Sequence, residues 1–161
     1  AARVSVTEDI RLPFASVSHS ATTSASMTRT LPQPVCMHFC DDLLVDPKTA
    51  KFHVIGSYDC IRAASFPHRP RLCHVVALLT GTTGKFMCRV RCFDPAGQPV
   101  FESRDNEFSF HSPRHVVWAS FRVLGVQFAR PGIYHFQIVC ENHFVCERSM
   151  SVIPKGGNGD V

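Results

Sequence analysis

From Pro131 to Val152 the chain alternates apolar and polar side chains at period two on both sides of Glu141-Asn142-His143. Tyr134, Phe136, Ile138 and Cys140 fall on one face of an outgoing strand, and Phe144, Cys146, Met150 and Val152 can share that face on the return strand. Keeping Cys140 and Phe144 on one face implies a three-residue turn and sets Ile138 opposite Cys146. This pattern places the chain in the all-β class.

The rest of the chain is punctuated in the same way. Residues 35–41 alternate as a first strand, Asp46-Pro47-Lys48-Thr49 reads as a turn, and residues 52–58 form a second strand. Phe66-Pro67-His68-Arg69-Pro70 breaks the ladder, because two prolines cannot donate backbone hydrogen bonds. Residues 72–80 are apolar on both faces, as in a central strand. Gly81-Thr82-Thr83-Gly84 reads as a hairpin turn into residues 85–93, where Phe86, Cys88, Val90 and Cys92 face inward while Arg89 and Arg91 face out. Asp94-Pro95-Ala96-Gly97 suits a type I turn into a short strand at 99–102. Residues 108–110 are a further edge strand. Residues 116–124 form a long one, with Val117, Ala119, Phe121 and Val123 on one face and Val116, Trp118 and Ser120 on the other. Seven to nine short strands without a helical stripe predict an antiparallel β-sandwich over residues 35–154, with a closed barrel as the alternative.

A length of 161 residues, 45% of them hydrophobic and 19% charged, suits one domain with its own core. Thirteen Phe supply much of the burial, at roughly 1.5–3 kcal/mol each when fully removed from water. The formal charge of +4 is scattered along the chain, which argues against a dedicated nucleic-acid or membrane surface. No apolar stretch approaches the roughly 20 residues needed to cross a bilayer as a helix. Residues 1–34 are rich in Ser, Thr and Ala and are expected to form a disordered leader. They lack the apolar run of a secretory signal, and Glu8 and Asp9 count against an organelle transit peptide. Met27 offers an alternative start of translation. Residues 155–161 read as a flexible tail.

Eight cysteines stand at 36, 40, 60, 73, 88, 92, 140 and 146. Cys36 and Cys40, and likewise Cys88 and Cys92, lie four residues apart on one strand, about 13 Å along an extended chain. Neither pair can form an internal disulfide, whose Cα atoms must lie within about 7 Å. Cys140 and Cys146 are not directly opposed either. Free thiols packed as small hydrophobes are therefore expected, in keeping with a reducing cytoplasm.

Candidate chemistry is sparse. Zinc sites draw thiolates from tight knuckles, whereas the thiols and His38 of Cys36-Met37-His38-Phe39-Cys40 are spread along a strand. The neighbours Cys73-His74 and Asp59-Cys60 point to opposite faces and offer no nucleophile with a base in reach. Gly81-Thr82-Thr83-Gly84-Lys85 lacks both the spacing and the following helix of a phosphate loop. Asp41, Asp42 and Asp46 could offer oxygens to calcium but are explained by turns and caps. The basic loop bearing Arg62, His68, Arg69 and Arg71 is the candidate for contact with a partner, since binding residues concentrate on loops held by a rigid scaffold.

Gly132-Ile133-Tyr134 occupies the place of an immunoglobulin-like tyrosine corner, without the Cys-Trp-Cys arrangement of antibody domains. Cys40-Asp41-Asp42, the run from Phe52 to Asp59, Phe66-Pro67, and Phe128-Ala129-Arg130-Pro131-Gly132-Ile133-Tyr134 together resemble a group of uncharacterised bacterial proteins known as a domain of unknown function. The resemblance spans about residues 35–153. It implies a compact sandwich and carries no catalytic residues.

The expectation is thus an immunoglobulin-like β-sandwich without catalytic residues, cofactor or metal: a binding or structural accessory module for a protein partner in a bacterial cytoplasm. The alternative is a metal-binding or thiol redox-sensing domain.

Overall fold

Alternation of β-branched and aromatic residues with polar ones puts one face of each strand in a core and leaves the other to solvent. A computed structural model describes residues 29–49, 51–71 and 73–156, and among them ten strands and no helix. The first sheet comprises β1 (Gln33–Val45), β2 (Phe52–Tyr58), β4 (Cys73–Thr80) and β8 (Val117–Val123), in the order β2-β1-β4-β8 and antiparallel throughout. The second comprises β3 (Cys60–Ala63), β10 (His143–Pro154), β9 (Gly132–Cys140), β5 (Gly84–Phe93) and β6 (Pro99–Glu102), in the order β3-β10-β9-β5-β6. β7 (Asn106–Phe110) also pairs with β5. The expected leader residues 1–28, with Met27, lie outside the described residues, as do Leu72 and tail residues 157–161.

The two sheets close on a shared core. Phe39, Val75, Leu79 and Phe121 of the first meet Phe86, Val90, Phe136, Ile138 and Met150 of the second. Phe39 meets Phe136 edge-on at 5.0 Å between ring centroids, and Phe108 meets Phe121 at 5.5 Å. Arg148 of β10 donates to the Met37 carbonyl of β1 at 2.7 Å, a polar tie between the layers. The Tyr134 hydroxyl donates to the Arg130 carbonyl at 2.9 Å, the contact expected of a tyrosine corner. β4 lies between β1 and β8, as its two apolar faces require. The inward and outward residues of β5 and β8 fall as their alternation predicts.

Four details differ from expectation. Among the described residues there are ten strands where seven to nine antiparallel ones are expected: β3 is too short to show a period, and its partner β10 runs parallel to it from a distant part of the chain. Gly81-Thr82-Thr83-Gly84 does not close a hairpin, because β4 and β5 belong to different sheets. The segment crosses between layers instead, and the buried Thr82 hydroxyl donates to the Thr30 carbonyl at 2.6 Å. The β9–β10 turn has two residues, Glu141 and Asn142, both at positive φ (49° and 64°), so Cys140 stands opposite His143. Ile138 still faces Cys146, because a bulge between Phe144 and Cys146 adds one residue to the return strand. That bulge turns Val145 toward the core in place of Phe144, which is 60% exposed. Finally, β1 begins at Gln33 and Leu31 already packs on the core, both ahead of Val35.

The β1–β2 hairpin returns over the outer face of the first sheet. Its turn is held by Asp46, whose carboxylate accepts from the Lys48 amide at 2.8 Å and the Thr49 hydroxyl at 2.6 Å. Phe52 at its tip stacks on Trp118 of β8, with ring centroids 4.8 Å apart and planes 10° from parallel. Gly56 has φ +62°, and a Cβ there would overlap the Asp41 carboxylate. Cys40, Val76 and His74, which belong to the outer face, are buried.

Candidate functional site

The chain crosses from β2 to β3 through Asp59 and leaves β3 into the loop at 64–71. Two backbone bonds of 2.9 Å each, from His68 to Phe128 and back, fix this loop. The Arg69 guanidinium donates from Nε and Nη2 to the Gln127 side-chain oxygen at 3.1 and 2.7 Å, which orients a long cation that would otherwise sample many rotamers. His68, Arg69 and Arg71 then line one wall of a cleft of about 490 Å³. Tyr58, Cys60 and Ile61 form the facing wall, and Asp41 adds one carboxylate. Of the four residues singled out from the sequence, the structure brings these three together. Arg62 lies outside this lining, exposed on β3.

Tyr58, Cys60 and Ile61 carry no sequence signal for such a role, since only the sheet crossover sets them against the loop. A second recess of about 600 Å³ lies between β6, β7 and β8 and is lined by Glu102, Arg104, Asn106 and Arg122, among others. Its Glu102 carboxylate is held by Arg89 at 2.6 Å and Arg91 at 3.2 Å.

The expectation of eight free thiols is corrected by a disulfide between Cys88 of β5 and Cys140 of β9. The two are directly opposed in the ladder with Cα atoms 4.1 Å apart, and 52 residues separate them in sequence. Spacing along single strands and around the terminal hairpin could not show a partner brought alongside by sheet pairing. The other six cysteines are free, and Cys40, Cys73 and Cys92 are buried. Burial pushes the Cys73 and Cys146 thiols up to about 11. Burial also raises Cys92, and it raises Cys40 together with the neighbouring Asp41 and Asp42 carboxylates. Thiols raised in this way stay protonated near neutral pH, whereas nucleophiles and metal ligands are thiolates.

His74 is the least comfortable polar group. It is 7% exposed, and neither ring nitrogen has a hydrogen-bond partner. Asp42 lies 3.9 Å from its Nε2, and Arg122 stands opposite it on β8. Burial, opposed by Asp42 and reinforced by Arg122, lowers its pKa from 6.5. Among the described residues, no group of three or more His, Cys, Asp or Glu side chains is placed to hold a metal ion. No helix among them is long and apolar enough to cross a membrane.

Comparison with known proteins gives one family and several distant structural likenesses. No curated protein matches the chain. A β-glucosidase from Listeria innocua in complex with glucose is similar at TM-score 0.44 and 11% identity over 60% of this chain and 15% of that one. The same enzyme in complex with isofagomine is similar at TM-score 0.44 and 10% identity over 77% and 16%. The Pseudomonas fluorescens alkylpurine DNA glycosylase AlkC, bound to DNA containing an abasic site analog, is similar at TM-score 0.41 and 9% identity over 73% and 30%. The chain therefore spans less than a third of each of these proteins, and likenesses of this size say nothing of its activity. The family match covers most of the chain, residues 35–153, and agrees with the span of the resemblance noted in the sequence: the protein belongs to DUF6941, a family of unknown function.

Proposed function

We propose that this domain is a non-catalytic, immunoglobulin-like module that binds an acidic segment of a partner protein. One observation carries the proposal: His68, Arg69 and Arg71 converge on one wall of a cleft, on a loop clamped to Phe128 and Gln127. A pre-positioned guanidinium loses less entropy on binding than a free one, and its fork of donors matches a carboxylate. Tyr58 and Ile61 on the other wall supply apolar surface beside the charges. A protein segment suits this mix better than nucleic acid, because the cleft also holds Asp41 and the surrounding charge is scattered.

The thiols do not favour the competing metal-binding or redox-sensing role. Four of the six free ones have raised pKa values.

The test uses the full chain and a fluorescein-labelled peptide of alternating Glu and Val, followed by anisotropy. Saturable binding, weakened at least tenfold in R69E/R71E and by added salt, supports the proposal. Competition by single-stranded DNA at equal charge concentration, or binding unaffected by R69E/R71E, overturns it. Both arginines are exposed, so the double variant is expected to keep its fold.

A further inference from the structure

The β1–β2 hairpin does not seal the sheet face it covers. Between the hairpin and the outer face of the first sheet lies a cavity of about 310 Å³, lined by Cys36, His38, Val54, Ser57, Leu78 and Trp118. Its floor is Leu78 of β4 and Trp118 of β8, which stand opposite each other in the ladder. Its roof is Val54 of β2, and Trp118 also stacks on Phe52, which lies outside the lining. His38 and Ser57 bring polar groups to an otherwise mainly apolar lining.

These features fit a ligand more closely than they fit a packing defect. An apolar cavity of about 150 Å³ already takes up a benzene ring, so this one has room for one ring with substituents or for two fused rings. The roof hangs from a backbone kink at Gly56, where φ is +62°, and side-chain stacking at the tip holds it down. β2 pairs with β1 on both sides of Gly56 and with no other strand, so this wall is attached to the sheet through β1 alone. The Trp118 indole in the lining favours flat aromatic guests over aliphatic ones of equal volume. The imidazole and the hydroxyl can engage one polar substituent such as a phenolic oxygen.

We propose that this cavity is a binding site for a small aromatic molecule of one or two rings bearing one hydrogen-bonding group. It is separate from the basic cleft, with which it shares no lining residue. The site is testable because Trp118 is the only tryptophan in the chain, so a ¹⁵N-labelled sample shows one indole N–H resonance. Titration of the full chain with p-cresol is expected to shift that resonance saturably. L78F, filling the floor, and V54F, filling the roof, should each weaken the affinity at least tenfold. Val54 is 37% exposed, so V54F decides the matter if L78F fails to fold. No saturable shift at millimolar p-cresol, undiminished binding in V54F, or equal binding of cyclohexanol would each overturn the proposal.

Discussion

Cys88 and Cys140 join β5 to β9 across the middle of the second sheet, closing a loop of 52 residues between positions buried in the core. Closing a loop of that length restricts the unfolded chain by about 4 kcal/mol in the loop-entropy account, and observed effects centre on 2–4 kcal/mol. Peptide mapping under non-reducing conditions should recover the Cys88 and Cys140 peptides as one species. The double variant C88A/C140A should unfold at lower urea, with a loss of about 2–4 kcal/mol. Recovery of both peptides with free thiols would remove the bridge from the fold.

Tyr134 is 1% exposed, and its ring packs at 4.6 Å from that of Phe128. Tyr134→Phe keeps the ring and deletes the hydroxyl, which donates to the Arg130 carbonyl at 2.9 Å and accepts from the Arg130 amide at 3.4 Å, so the change removes this corner contact alone. A loss of about 0.5–1.5 kcal/mol is expected in urea unfolding. A variant as stable as the parent would show that the corner bond contributes nothing net.

Gly56→Ala combines a left-handed backbone position with overlap on the Asp41 carboxylate. The backbone term alone costs about 1–2 kcal/mol for a residue with a Cβ. Because Gly56 sits where the hairpin returns over the sheet, the change should also loosen the Phe52–Trp118 stack and red-shift the emission of Trp118. Unchanged emission with unchanged stability would place the kink elsewhere.

Acid should destabilise the fold in two separable windows. Burial lowers the His74 pKa below 6.5, so the unfolded chain takes up the proton first as pH falls. Stability is therefore lost progressively below about pH 6.5, down to the folded pKa. Urea midpoints measured between pH 7 and 4.5 should fall in the parent and fall less in His74→Phe. Parallel profiles would show that His74 titrates without cost.

The second window belongs to Asp46, whose carboxyl the Thr49 hydroxyl and Lys48 amide hold below its ordinary value, and to Asp94. Bonds from the Gln98 and Ala96 amides, with Arg130 alongside, hold the Asp94 carboxyl below the usual 3.8. A carboxyl with a depressed folded pKa contributes stability above its unfolded value and loses it as pH falls through the folded one. Asp94→Asn should flatten the stability profile below pH 4 while leaving the His74 window in place. A profile identical to the parent below pH 4 would exclude this turn from acid unfolding.

Period-two patterning was enough to mark the all-β class and the inward residues of β5 and β8, a run apolar on both faces marked the central place of β4, and turn residues marked the bounds of β2 and β6, because all of these are local properties of the chain. A proline-broken basic loop, visible in one dimension, nominated Arg62, His68, Arg69 and Arg71, of which Arg62 lies outside the cleft lining. The layer each strand joins was not legible. The glycines and threonines at 81–84 serve a hairpin or a crossover equally well, and only the packing of β4 and β5 into different sheets chose between them. Tertiary structure alone set Cys140 beside Cys88, Tyr58 and Ile61 against the loop, and Phe52 over Trp118. Alternation along a strand is a property of neighbouring residues, whereas each of those contacts joins residues that chain spacing leaves far apart and the sheets bring together.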